Sequence, residues 1–410
     1  MKILLSAFAC RPDRGSEPGV GWNWARSLSA RHEVHVVTQH RNQAAIEAEL
    51  EHDPLPNTHF HYVPMPFRRT AGWPLGLGWL PYYWWQWKAH KHAAKLHAEH
   101  HFDVVHHVTY VVWRAPSFMW KLGMPFVWGP VGGGQNIPRG FHRVLGWRGA
   151  VRERIRELAQ ELGWFHPSVR ATARGAAIIL AANTPTKDVL PRIWRNKAHQ
   201  MLDAAVSERA LMPARSVHAE ASELRLLWVG QLVPIKGLRL LLQAIAAIAP
   251  PRRLSLSVIG EGPERPGMEQ LASSLRLTSE ISFAGWVPHP EVSKSYSAAD
   301  ALVFTSLRDS SGNALLEAMA AGLPAICLDW AGPGDITTDE CAVRIFPQSP
   351  GQVIRDLASA IVRLRDNPEL RLRMGTCARA RVLTMFTWER KALELEGLLA
   401  KLPLSGEVAP

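Results

Sequence analysis

Ala301 to Leu328 reads ALVFTSLRDSSGNALLEAMAAGLPAICL. Ala301–Thr305 is a short apolar run with β-branched and aromatic residues, the pattern of a buried strand. Ser306–Gly312 is small and polar. Asn313–Ala321 is rich in Ala and Leu and has no breaker, which predicts a helix. Gly322 falls where a helix C-terminus favours glycine, and Pro324 prevents continuation. A second apolar strand follows. Strand, loop, helix, strand is the repeating unit of an α/β fold with a parallel sheet.

The chemistry of this stretch lies in its loop. A strand that enters a helix through small residues aims unpaired backbone N–H groups at one point, and that helix end favours a phosphate. Ser310, Ser311 and Gly312 let a ligand approach the backbone closely. Asp309 and Glu317 flank the helix start with seven residues between them. Both can accept hydrogen bonds from sugar or ribose hydroxyls. On spacing alone, a solvated loop aspartate and a helix-surface glutamate account for the pair equally well.

D-x7-E with an internal glycine, followed by LLEAMAAGLPAI, resembles the E-x7-E signature of retaining glycosyltransferase family 4 (glycosyl transferases group 1) of the bacterial polysaccharide type. Asp309 stands where that family usually has Glu. The resemblance implies the GT-B architecture: two Rossmann-like doubly wound α/β domains facing a central cleft. It extends to Gly230–Gly237, GQLVPIKG, which is similar to G-R-x-x-x-x-K-G with Gln231 at the Arg position and Lys236 at the Lys. It also reaches the IGEGPE turn around Gly260. Asp103 to Val108 is similar to D-x-x-H-x-H, with His106 at the first histidine position and His107 one residue short of the second.

From these matches the resemblance implies Asp309, Lys236 and one of His106 and His107 as catalytic residues. It implies a donor site of Gly15, Ser16, Gln231, Lys236, Gly260, Ser311, Gly312, Asn313, Ala314, Leu315 and Glu317. Lys236 would neutralise the leaving diphosphate, Asp309 hold sugar hydroxyls and Glu317 the ribose.

The first strand, Ile3–Phe8, runs into CRPDRGSEPGVG, a glycine-rich turn that does not match the GxGxxG dinucleotide fingerprint. Helix is expected from Trp22 to Ala30 and strand from Glu33 to Thr38, a βαβ unit. Glu17 in that turn is assigned to the acceptor side. So are Gly132, Gly133 and Gly134, because three consecutive glycines suggest a loop that approaches a ligand or moves. A plain flexible connection explains them as well. On a strand, His106 and His107 point to opposite faces, so at most one lines a cleft.

The 410 residues carry a formal net charge of +11, which suits anionic partners: a nucleotide sugar, a phospholipid surface or a nucleic acid. No motif joins stacking aromatics to basic residues, so nucleic acid is not expected. Four scattered cysteines fit a reducing cytoplasm and argue against a zinc site. MKILLSAFAC reads as a first strand rather than a lipoprotein signal, and no run approaches the ~18 apolar residues of a membrane span.

Thirteen of the 18 histidines precede residue 110 and 13 of the 17 tryptophans precede residue 200, so the halves differ in composition. Ser207–Glu223 lacks an apolar period and is the expected boundary. The expected domains are 1–205 on the acceptor side, a linker at 206–223, 224–385 for the nucleotide sugar, and 386–410 as a helix crossing back.

WPLGLGWLPYYWWQW, Trp73–Trp87, precedes the basic run KAHKHAAKLHAEHH. Aromatics beside lysines suit a bilayer interface, giving an expected membrane-surface contact through 73–101. A helix packed under a loop fits equally. His97 and His101 have i, i+4 spacing but no HExxH order, and read as a His-rich surface helix.

The expected activity is retaining transfer of a hexosyl group from a UDP- or GDP-sugar to a saccharide acceptor, lipid-linked or a free oligosaccharide, in cell-surface polysaccharide synthesis. No cofactor is expected and the donor site is read as metal-independent, since no DxD pair stands out. The location that follows is cytoplasmic, at the inner face of the plasma membrane. The alternatives are a sugar-nucleotide epimerase of the same fold and a nucleotide-sugar-binding protein that has lost catalysis.

Overall fold

The computed structural model describes residues 1–12, 14–65, 80–207 and 223–402. Among them, thirteen strands form two parallel sheets. The first contains β1 (Lys2–Ser6), β2 (Glu33–Gln39), β3 (Thr58–Val63), β4 (Val104–His107), β5 (Phe126–Val131), β6 (Ile178–Ala181) and β7 (Ala198–Gln200). Their spatial order is β3-β2-β1-β4-β5-β6-β7. The second contains β8 (Leu224–Val229), β9 (Leu254–Ile259), β10 (Ile281–Gly285), β11 (Ala301–Phe304), β12 (Ala325–Leu328) and β13 (Ala342–Ile345), in the order β10-β9-β8-β11-β12-β13.

Each order reverses once, beside β1 in the first sheet and beside β8 in the second. Connections leave a doubly wound sheet in opposite directions at such a point and open a crevice at the carboxyl ends of the strands. The topology therefore places one candidate site after β1 and β4 and another after β8 and β11.

Both faces of each sheet are covered, so the strands read as continuous apolar runs. Leu4, Val105, Trp128 and Ile179 face one core of the first sheet, and Ile3, Leu5, Val104 and Val127 face the other. The stretch that opened the sequence reading folds as expected, as β11, a helix over Asn313–Ala320 and β12. Gly322, at φ +83°, ends that helix. Its amide bonds Met319 O and the Leu323 amide bonds Ala318 O, both at 3.0 Å, so the last carbonyls are satisfied by a left-handed glycine cap.

The first helix starts earlier than expected. It spans Ser16–Ser29, with Gly15 as its N-cap, and takes in Gly19 and Gly21 of the supposed turn. A Cβ at Gly21 would collide with the Ala9 carbonyl. That glycine lets the helix lie against the loop after β1 and does not face a ligand.

The expected linker at 206–223 lies mostly outside the described residues. On the return crossing, Thr387 pairs with Val206, and the amides of Val206 and Trp388 bond across at 2.9 and 3.2 Å. The helix Trp388–Leu399 then enters the first domain. Trp388, Ala392, Leu395 and Leu399 recur at helical spacing and are buried in the core beneath the first helix. Burying its three large side chains contributes about 1.5–3 kcal/mol each. Lys391, on the same helix, is buried and donates to the Leu202 carbonyl at the crossing. Burial lowers its pKa to about 7.

Candidate active site in the interdomain cleft

Two connected cavities occupy the carboxyl ends of the switch-point strands. The inner one, about 440 Å³, is walled by the loops after β4, β8 and β11 and by the start of the first helix. The outer one, about 480 Å³, runs from Gly15 along the Ser16–Ser29 helix to the outer face of the Asn313–Ala320 helix. Ser16 and Asn313 border both. Together they have the size of a ligand site for a small organic molecule.

The inner cavity is built around the amino end of the Asn313–Ala320 helix. Gly312 is its N-cap at φ +82°, and no side chain caps it. The Leu315 amide is already bonded to Gly312 O at 3.0 Å. The amides of Asn313 and Ala314 have no intrahelical acceptor, as the first turn of a helix dictates. They are the groups an anion would meet.

Lys236 is brought to this helix end by close packing. Gly237, at φ +69°, lies so near the Thr305 carbonyl that any Cβ would collide with it. Thr305 Oγ1 donates to Lys236 O at 2.9 Å and accepts from Trp228 Nε1 at 3.1 Å. The Leu307 amide bonds Ile235 O at 2.8 Å. These bonds clasp the loop after β8 to the loop after β11. The Lys236 ammonium then forms a short ion pair with Asp309 Oδ2.

Neighbouring groups hold the Asp309 loop from both domains. Gly332 lies against Ser310 O, where a Cβ would collide. Arg308 pairs with Glu153 of the first domain. Burial pushes the Glu153 carboxyl up, but Arg156 and Arg308 outweigh it and hold its pKa below the usual range. Asn183 donates to Ser310 O at 3.0 Å, Thr184 donates to Asp335 Oδ1 at 2.7 Å, and Trp330 Nε1 donates to Asn136 O at 2.7 Å. Ser311, 2% exposed, bonds Asp203 through its hydroxyl and receives the Asp203 amide at 3.2 Å.

Glu17 opens on the inner cavity. Its carboxylate accepts the Tyr110 amide at 3.0 Å. The low-dielectric walls packed around it raise its pKa to about 7, with the charge of Asp203 adding to the rise, although the side chain stays open to solvent. Glu317 faces the outer cavity. It accepts from Tyr296 OH at 2.9 Å and lies 3.3 Å from His289 Nε2. That hydrogen bond raises the His289 pKa.

Residues 223–367 match the family model of glycosyl transferases group 1. The second domain belongs to that family. The chain is 33% identical over 159 residues to the lipopolysaccharide core biosynthesis glycosyltransferase LpsD of Rhizobium meliloti (strain 1021), covering 39% of this chain and 44% of the relative. It is 32% identical over 142 residues to the 2-deoxystreptamine glucosyltransferase of Streptomyces kanamyceticus, covering 34% of this chain and 36% of that one. These matches span less than half the length of either relative. Over 98% of this chain and all of the other, the fold superposes on Anabaena Alr3699/HepE, solved with UDP and glucose, at a TM-score of 0.62 and 15% identity. The architecture is GT-B.

In this chain the cleft brings together Gly15, Ser16, Glu17, Gln231, Lys236, Asp309, Ser311, Gly312, Asn313, Ala314 and Glu317. Other expected residues lie elsewhere. His106 and His107 are 1% and 2% exposed and neither lines the cleft. His106 Nε2 is 2.7 Å from Gly129 O with its ring edge-on to Trp24, and His107 Nε2 is 3.0 Å from Tyr82 OH. Burial lowers their pKa values to about 3 and about 4. They are core imidazoles on opposite faces of β4.

Gly132, Gly133 and Gly134 form a bonded seam rather than an open ligand loop. The Gly132 amide bonds Val111 O at 3.1 Å, the Gly133 amide Gln135 Oε1 at 3.2 Å, and the Gly134 amide Thr186 Oγ1 at 3.1 Å. A Cβ on Gly134 would collide with Thr186 Cα. Gly260, at φ +135°, is required by the Gly230 carbonyl, and its own amide bonds Gly285 O at 2.8 Å. Leu315 is fully buried, and its amide is spent within the turn.

Asp203, Glu153 and Arg308 were not anticipated. No local pattern marks their contacts across the cleft, because those partners are more than 100 residues away. Of the aromatic stretch, 73–79 lies outside the described residues. In the following helix, Leu80–His100, Tyr82 and Trp85 are core residues and Trp87 is 43% exposed.

Proposed function

We propose that this protein is a retaining glycosyltransferase that moves a hexosyl group from a UDP- or GDP-sugar to a saccharide acceptor. The observation that carries this reading is the helix end at Gly312–Ala314, with open amides, a lysine and an aspartate converging on one cavity between two domains. The family membership of the second domain supports it. So does a similarly folded protein solved with UDP and glucose.

The donor diphosphate sits at the amides of Asn313 and Ala314, and Lys236 turns from Asp309 to its oxygens. Asp309, released, accepts hydrogen bonds from the sugar hydroxyls. Glu317, oriented by Tyr296, receives the ribose. The bond from the anomeric carbon to the diphosphate oxygen breaks, and the acceptor oxygen bonds to that carbon on the same face. The acceptor proton passes to the departing diphosphate oxygen. Lys236 and the helix end stabilise the charge that develops there. Glu17 borders the acceptor side of the inner cavity. No step uses a metal.

The acceptor is carried on a lipid at the cytoplasmic membrane face, in assembly of a surface polysaccharide. Among the described residues no helix is long and apolar enough to cross a membrane. The support comes from the helix Gly146–Gly163. Trp147, Val151, Ile155, Leu158 and Leu162 recur at helical spacing and are 53–75% exposed, and Phe165 just beyond is 74% exposed. An exposed apolar stripe with Arg148, Arg152 and Arg154 on the same helix suits an anionic bilayer surface. This helix replaces residues 73–101 as the favoured contact.

The test is thermal-shift titration with UDP-, GDP-, ADP- and TDP-sugars, alongside the Lys236→Ala variant. Stabilisation by one nucleotide class, weakened in the variant, supports the donor site and selects the donor for transfer assays. No shift at millimolar nucleotide sinks the reading. For the membrane face, Ile155→Glu abolishes cosedimentation with phosphatidylglycerol vesicles while leaving nucleotide binding intact; unchanged cosedimentation removes that contact.

A further inference from the structure

The end of the first sheet remote from the cleft gathers imidazoles that the transfer reaction does not use. Glu33 and His35 lie at the start of β2, and His59 and His61 lie on β3, with His35 registered beside His59. The helix Leu80–His100 runs back to that end before β4 begins, which delivers His100 to the same place. The His35 ring centre is 4.5 Å from that of His100, 4.6 Å from His59 and 5.1 Å from His61.

His35 is the hub and is 2% exposed. Its Nε2 is 3.1 Å from Glu33 Oε1, and its Nδ1 is 3.0 Å from His61 Nε2. One ligand atom from each of Glu33, His35 and His100 can be chosen so that all three lie within 4.8 Å of one another. Metal binding takes imidazole lone pairs and a carboxylate, and these side chains supply both. A neighbouring cation, Lys2 Nζ, is 4.0 Å from Glu33 Oε2, the oxygen that does not face His35.

We propose that Glu33, His35 and His100 bind a divalent transition metal of the zinc class at the end of the first domain opposite the cleft. Two imidazoles and a carboxylate, without thiolates, favour such an ion over calcium, magnesium or copper(I). His35 ligates through Nε2, and its Nδ1–H donates to His61 Nε2, the second bond that orients a metal-bound imidazole. Three protein ligands leave a position for water or for His59. The ion ties the start of β2 to the end of the long helix. His97 and His101, whose spacing draws the eye in sequence, take no part: His97 Nδ1 is committed to the Phe102 amide at 3.1 Å.

The test uses the full chain without a polyhistidine tag, stripped with chelator. Zinc chloride is titrated by calorimetry, and cobalt(II) by visible absorption. The expected result is about one zinc per chain with a Kd below about 10 µM, a rise in melting temperature with zinc, and cobalt d–d bands. Glu33→Gln and His100→Gln each raise the Kd at least ~10-fold. The double variant His97→Gln/His101→Gln leaves it unchanged. Circular dichroism checks each fold; should His100→Gln not fold, Glu33→Gln at its partly exposed position decides alone. The proposal is overturned by no saturable binding at 100 µM zinc, or by binding that survives both Glu33→Gln and His100→Gln.

Discussion

At Gly312 the chain enters a helix whose first amides stay open toward the cleft. At Gly132–Gly134 it crosses beside the same cleft with its amides already bonded to Val111, Gln135 and Thr186. Both stretches turn on glycine, and both read as ligand loops. Glycine serves the first by allowing a left-handed turn into a helix, and the second by letting two backbones touch. What separates them is where the N–H groups go.

This contrast breaks first at Asp309. Asp309→Ala lowers turnover about 10³-fold or more and shifts the melting temperature little, since its ion pair with Lys236 is partly solvated. Steady-state kinetics with the donor chosen by thermal shift measures it, and a loss under tenfold would remove Asp309 from the reaction. Next, Lys236→Ala raises the Kd for the nucleoside diphosphate about 10–100-fold, or roughly 1.4–2.8 kcal/mol, as read by calorimetry.

The seam responds in the opposite way. Gly134→Ala destabilises the fold by about 1–2 kcal/mol, because the new methyl displaces Thr186, and nucleotide affinity stays within about twofold. Urea unfolding and titration on one preparation test both halves of that statement. Lost affinity with unchanged stability would make the glycine loop a ligand loop after all.

The smallest effect lies at Glu17, which borders the inner cavity. Its carboxyl is raised from 4.5 to about 7 in the fold. The protonated form is therefore favoured by folding. Its contribution is complete below about pH 4.5 and fades as pH rises through about 7. Because the side chain opens on solvent, the loss is about 1 kcal/mol or less. Comparing urea midpoints at pH 5 and 8, the unmodified protein loses that much more stability than Glu17→Gln. Parallel pH profiles would mean that the carboxyl titrates normally.

Much of this was readable along the chain. Ala301–Leu328 declares its strand, helix and cap because each signal is local: an apolar run, Ala/Leu content, Gly322 and Pro324. The Lys236–Gly237 pair was readable by motif. The sequence could not say that Lys236 and Asp309 pair, since that depends on β8 and β11 lying side by side in the sheet, nor that Ser311 bonds Asp203 and Arg308 bonds Glu153, since those contacts depend on how two domains meet. His106 and His107 misled for a related reason. The strand end that faces a crevice also carries side chains turned into the core, and only packing against Trp24 and Tyr82 tells which. The cluster at His35 was equally hidden, because register and a returning helix assemble residues 65 positions apart.

The helix Trp388–Leu399 lies in the core of the domain made first. At about 5–20 residues per second, the chain from Val206 to Trp388 takes roughly 10–40 s to synthesise. Through that interval the earlier domain exists with a groove where Trp388 and Leu395 belong. The nascent protein must keep that groove from other apolar surfaces until its own last helix arrives to fill it.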